Sequence, residues 1–166
     1  MDELGATLVQ NNSWSGSTIG YTGYNGADSS TSASFIYRLG RLVDEGFFEK
    51  NEIDTVLVFG GTNDSWCNAP LGEMSFREHT RDELYSVLPA ICHFAGQVRA
   101  AAPTADILFI VNDGLKPEVE GALICAAEHY GMPYLKIGGA EKVNGHPTEL
   151  GMKAIKEQVK AALLAL

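Results

Sequence analysis

Short apolar runs alternate with longer amphipathic stretches along this chain. Runs at 6–10, 55–60, 106–111 and 133–137, each bounded by turn-forming residues, read as strands. Between them the apolar positions change to helical spacing. Phe35, Ile36, Leu39, Leu42 and Val43 form one stripe. Leu84, Val87, Leu88, Ile91, Ala95 and Val98 form a second, behind a capping box of Thr80 and Glu83. Pro117 suits a first helical turn, and the stripe Val119, Ala122, Leu123, Ala126 ends at Gly131. A last helix from about Glu149 carries Leu150, Ile155, Val159 and Leu163.

Strands that are apolar throughout, rather than alternating, are covered on both faces. Joined by helices, they predict a parallel sheet in a three-layer α/β/α domain. Any site then belongs at the carboxyl ends of the strands. Residues 1–5 fit this scheme as the closing turn of a helix, with Gly5 at the C′ position. One turn is too short to be stable or to cover a sheet face. The expectation is a single domain whose first strand and most of its first helix precede Met1.

Composition narrows the functional classes. At 166 residues the chain fits one domain. A net charge of −9 argues against nucleic acid or an anionic membrane surface as main partner. No apolar run is long enough to span a bilayer. Cys67, Cys92 and Cys125 are odd in number and widely spaced, which speaks against a disulfide framework or a zinc site. Cys92 and Cys125 sit in helical stripes as small core residues, and the compartment is left open.

Two stretches interrupt the packing rhythm. From Ser13 to Ala33 there is almost no periodicity, and segments of that length inside a domain are functional or mobile. Trp14, Tyr21 and Tyr24 favour a binding loop over a linker. The second is Gly61-Thr-Asn63-Asp64-Ser-Trp66, directly after the run at 55–60. The Gly60–Gly61 pair permits a sharp turn beside a ligand. Asn63 stands where an amide can donate to a developing oxyanion, although Asn-Asp after a strand also makes an ordinary turn. Of four histidines, His79 and His129 read as solvent-facing and His93 as structural. His146 lies in a glycine-bounded loop before the last helix, open to a role as general base.

Three blocks together resemble the SGNH (GDSL-like) ester-hydrolase superfamily: Asn12-Ser-Trp-Ser-Gly-Ser-Thr18, Gly60-Gly-Thr-Asn-Asp64 and Gly145-His-Pro-Thr-Glu-Leu-Gly-Met152. Their order and spacing agree with that family across essentially the whole chain. The resemblance implies a flavodoxin-like sheet and ester hydrolysis through a serine acyl-enzyme, with no metal or cofactor. It assigns Gly16 and Asn63 to the oxyanion hole and His146 to the base. Trp14, Ser15, Asp64 and Trp66 are expected to line a small-molecule or glycan ester.

Two departures stand out. The family's Gly-Asp-Ser block has no counterpart in this sequence, so the chain as it stands is expected to be inactive. The aspartate usual three residues before the histidine is Val143, which leaves Glu141, Asn144 or a backbone carbonyl to orient the ring. Ser13, Ser15, Ser17 and Ser65 are expected to be hydrogen-bond donors or turn residues, not nucleophiles. The rival reading is a non-catalytic protein that holds a glycan or acyl ligand on the same scaffold. An unrelated flavodoxin-like domain ranks last, because Gly-Gly-Thr-Asn-Asp lacks the lysine of a phosphate loop. If the central strand is absent, a second copy of the chain is one candidate to fill the gap.

Overall fold

The computed structural model describes residues 4–166. Its centre is a parallel sheet of β1 (Thr55–Gly60), β2 (Asp106–Val111) and β3 (Tyr134–Lys136), in that order. β2 alternates between two cores. Ile107, Phe109 and Val111 join the cluster built by α1 (Phe35–Asp44), α4 (Val87–Ala101) and α5 (Pro117–His129). Leu108 and Ile110 pack with Ile137 and Ile155 beneath α6 (Glu149–Leu163). Helices on both faces of a parallel sheet make the α/β/α layering that the unbroken apolar strands predict. Two short helices, α2 (Phe47–Lys50) and α3 (Thr62–Trp66), precede and follow β1, and a small hairpin pairs β4 (Lys142–Val143) with β5 (His146–Pro147).

Local chemistry sets the helix ends. Ser34 caps α1 by accepting from the Tyr37 N–H, and Thr148 caps α6 by accepting from the Gly151 N–H. Pro117 occupies the first turn of α5, where a missing N–H costs nothing. The capping box at Thr80 forms, since the Glu83 carboxylate accepts from both the Thr80 N–H and hydroxyl. It caps only a 3-10 turn, Glu83–Tyr85, and the chain is extended at Ser86 before α4 begins. Pro89 explains the break. A helix running through from Thr80 would place it in the interior, without an N–H and against the Tyr85 carbonyl. Starting at Val87 puts it in the first turn, and the Pro70 and Leu71 carbonyls take the orphan N–H groups of Val87 and Leu88.

The expected strand at 6–10 does not form. These residues are exposed and join no ladder, because no strand among the described residues lies beside them. One edge of β1 is likewise unpaired among the described residues. Leu57 and Phe59 share the face of Leu108 and Ile110 by register, yet are 48% and 41% exposed. α6 covers β2 and β3 on that face and leaves β1 bare. Of the expected helical turn at 1–5, residues 1–3 lie outside the described residues. Gly5 has φ +64, as a helix-closing glycine does.

Candidate functional site

The Gly60–Gly61 pair serves packing first. A Cβ at Gly60 would meet the Phe35 ring at 2.6 Å, and one at Gly61 (φ +93) would meet Leu123 at 2.8 Å. The sharp turn is thus made so that core side chains can close over the strand end, and it launches α3 at the carboxyl edge of the sheet. α3 carries three residues singled out from the sequence, and each turns a different way.

Asn63 faces the Ser13–Ala33 stretch, where its side-chain amide donates to the Ser17 carbonyl at 2.8 Å. That bond uses one of two amide hydrogens. Asp64 is 3% exposed. Its carboxylate accepts from the Ile19 N–H at 3.0 and 3.1 Å and from the Gly20 N–H at 3.4 Å. Burial pushes its pKa up to about 6, while donation from Ile19 and Gly20 pulls the other way. The expectation that Asp64 lines a substrate is therefore corrected. It is a buried clamp that fixes residues 17–20 against α3.

The clamped stretch is far more ordered than its composition suggests. Ser17, Thr18, Ile19, Tyr21, Ser29, Ser30 and Ser34 are buried. Arg38 donates to the Ala33 carbonyl and the Asn12 carbonyl, tying both ends of the stretch to α1. Tyr21 is not a cleft wall: it packs edge-on to Tyr85 beneath the Arg81 guanidinium. Trp14 and Tyr24 are exposed, as is Ser15. Gly16 sits in the exposed turn with φ +75, a geometry that favours glycine, and its N–H has no acceptor among the described residues.

Trp66 faces the other way, toward the hairpin. Its ring lies edge-on to His146 with centroids 6.0 Å apart. A Cβ at Gly145 (φ +79) would stand 2.8 Å from the indole, so only glycine permits this seat. α3 is thereby held at one end to the loop of Gly16 and at the other to the hairpin of His146. No side chain among the described residues hydrogen-bonds the His146 ring. The Glu141 carboxylate is exposed and does not reach it. The residue acts through its backbone, whose carbonyl accepts from the Thr148 N–H at 3.0 Å.

The other histidines also have settled places. His79 hydrogen-bonds Ser75 at 3.1 Å and stands 6.0 Å from His93, so it is not the partnerless surface residue expected. Burial lowers the pKa of both. His129 is exposed and stacks on Phe76.

Sequence reasoning missed a polar chain that crosses the site's base. Thr62 precedes Asn63, and its hydroxyl accepts from the Asn112 amide at 3.0 Å. Lys142 donates to the Asn112 side-chain oxygen at 3.0 Å and to the Asp113 carbonyl at 3.2 Å, and forms an ion pair with the Asp113 carboxylate. A signal was present: Asn112-Asp113 follows β2 as Asn63-Asp64 closely follows β1. Among the described residues no cluster of histidine, cysteine or carboxylate side chains could hold a metal ion, and no helix is long and apolar enough to cross a membrane.

Comparison with known proteins agrees with this geometry. The model of the GDSL-like lipase/acylhydrolase family matches residues 1–163. A crystal structure of a protein assigned as a GDSL-like lipase from Bacteroides uniformis superposes with a TM-score of 0.90 at 38% identity, covering 99% of this chain and 73% of its own. Another so assigned, from Bacteroides ovatus, gives 0.86 at 33% identity, covering 99% of this chain and 75% of its own. No curated protein matches the chain. With a parallel α/β/α sheet, the motif blocks gathered around α3 and a family match along nearly its whole length, the chain belongs to the GDSL-like lipase/acylhydrolase family of hydrolases.

Proposed function

We propose that this site hydrolyses esters of small molecules or glycans through a serine acyl-enzyme, and that the serine comes from outside the given sequence. The single observation that carries the proposal is the double attachment of α3, to the Gly16 loop through Asn63 and Asp64 and to the His146 hairpin through Trp66. His146 takes the proton of a serine hydroxyl as its oxygen attacks the ester carbonyl. The oxyanion accepts from the Gly16 N–H and the free hydrogen of the Asn63 amide. Collapse expels the alcohol with the proton held on His146, and water then releases the acid by the same route. Trp14, Ser15 and Trp66 line the open side. No cofactor takes part in this scheme.

The place of the nucleophile follows from the bare edge of β1. A strand seated there would satisfy its unpaired backbone groups, and a helix packed behind that strand would cover Leu57 and Phe59. The carboxyl end of such a strand would lie beside Gly61 and α3, where a serine meets both donors and base. The test is hydrolysis of p-nitrophenyl acetate by a version with a Gly-Asp-Ser strand added upstream. Turnover should appear, and Asn63→Ala should lower it by roughly 10²–10³. Absence of turnover in a folded, extended protein would reject the esterase reading. The rival, a ligand-binding protein without chemistry, is favoured by the missing Gly-Asp-Ser block and the exposed Trp14; it predicts saturable ester or glycan binding with no turnover in either version.

A further inference from the structure

In this chain no carboxylate orients the His146 ring, and the position three residues before it is Val143, exposed on the hairpin. Something else must fix the hairpin, because a misplacement of about 1 Å in a reacting group can cost 10²-fold in rate. We propose that Lys142, with Asp113, Asn112 and Thr62, is the positioning device that sets the His146 hairpin against the Asn63 helix. The inference rests on the catalytic reading of His146 given above and adds the residues that hold it in place.

The geometry forms a continuous line. Thr62 is the first residue of α3, next to Asn63. Asn112 is buried and follows β2 directly, donating to Thr62 and accepting from Lys142. Lys142 opens β4, whose register pairs it with Pro147 and pairs Val143 with His146. Its ammonium is 18% exposed, so the charge is largely removed from water and needs its partners. It has them all: the Asp113 carboxylate and carbonyl and the Asn112 amide oxygen fill its three donor positions. A two-residue ladder is too small to hold itself. Lys142 anchors it from below, the Glu141 carbonyl ties it to α6 through the Thr148 N–H, and Trp66 on Gly145 closes it from the side. Of these, only the Lys142 line reaches the residue beside Asn63, so it links the base to the oxyanion donor as one unit.

The test reads the ring itself and needs no catalysis, so it stands even if the esterase reading fails. In the chain as given, nuclear Overhauser contacts between the His146 ring protons and the Trp66 indole are recorded for the wild type, Lys142→Met and Asp113→Asn. Both substitutions should abolish those contacts and speed amide exchange of the hairpin about tenfold, while resonances of β2 and α4 keep their dispersion. Should Lys142→Met unfold the chain, Asp113→Asn, which keeps shape and removes only the charge, carries the same expectation. Retained His146–Trp66 contacts in a folded variant would overturn the proposal. Conversely, lost contacts together with an inactive extended enzyme would leave the anchor standing and reject the esterase reading alone.

Discussion

At the scale of single residues, Asp64 makes the sharpest statement. Its folded pKa of about 6 lies above the ordinary value of 3.8, so the folded chain holds this proton more tightly than the unfolded one. Its contribution to stability is therefore complete below about pH 4, falls as pH rises toward about 6, and is flat above. The shift corresponds to about 3 kcal/mol. Urea titrations of wild type and Asp64→Asn across pH 4–7 should diverge by that order, and parallel curves would contradict it. Asp64→Ala should cost more at low pH, since it leaves two buried N–H groups unpaired at roughly 1–3 kcal/mol each. The catalytic histidine is a second residue-scale prediction. In an active extended version, His146→Ala should lower turnover by several orders of magnitude, whereas His79→Ala and His129→Ala should change it little. Equal losses from all three would indicate a folding effect. Gly16, Asn63 and His146 were legible because they stand in family blocks at a turn, a strand end and a helix start. The role of Asp64 was not, because a carboxylate in a polar motif gives no sign in sequence that it is buried against backbone N–H groups. Tyr21 misled for the opposite reason: its loop is polar, but Ile19 and Asp64 draw it into the core.

Elements with a strong period were readable, and those defined by long-range partners were not. β1, β2, α1, α5 and α6 lie where the apolar spacing and caps place them, and β3 is shorter by a residue at each end. The start of α4 was misread because Pro89 overrides a well-formed capping box, an instance of backbone geometry defeating a local signal. The hairpin of β4 and β5 has no apolar pattern, since its order comes from Lys142, Trp66 and α6. Two glycines expose that dependence. A Cβ at Gly151 would stand 2.1 Å from the Glu141 carbonyl oxygen, so Gly151→Ala must push the hairpin off the start of α6. Overpacking of this kind typically costs about 1–3 kcal/mol. Gly145→Ala adds the strain of a positive φ to a clash with Trp66 and should displace His146. Thermal melts should show a lower midpoint for Gly151→Ala, and the His146–Trp66 contacts should disappear in Gly145→Ala. A Gly121→Ala control, where a Cβ meets nothing within 4 Å, should melt no lower than wild type. A stable Gly151→Ala with an unmoved hairpin would contradict this packing.

For the molecule as a whole, the sheet order and helix layers were foreseeable, while the fate of the strand at 6–10 depended on a neighbour that the described residues do not provide. The bare edge of β1, with Leu57, Phe59, Leu8 and Val9 exposed, is an invitation to pair. The 166-residue chain should self-associate with rising concentration, as a dimer that fills the gap or as larger species. Sedimentation velocity measures this, and Leu57→Lys should reduce it. A strict monomer at high concentration would show the edge to be protected. The same edge decides the chemistry, since a strand there brings the one group the site lacks. The most direct measurement is fluorophosphonate labelling, mapped by mass spectrometry, of this chain beside the version with the added Gly-Asp-Ser strand. The account predicts no adduct on the given chain and an adduct on the added serine that His146→Ala abolishes. An adduct on Ser13, Ser15, Ser17 or Ser65 of the given chain, with turnover dependent on His146, would contradict it.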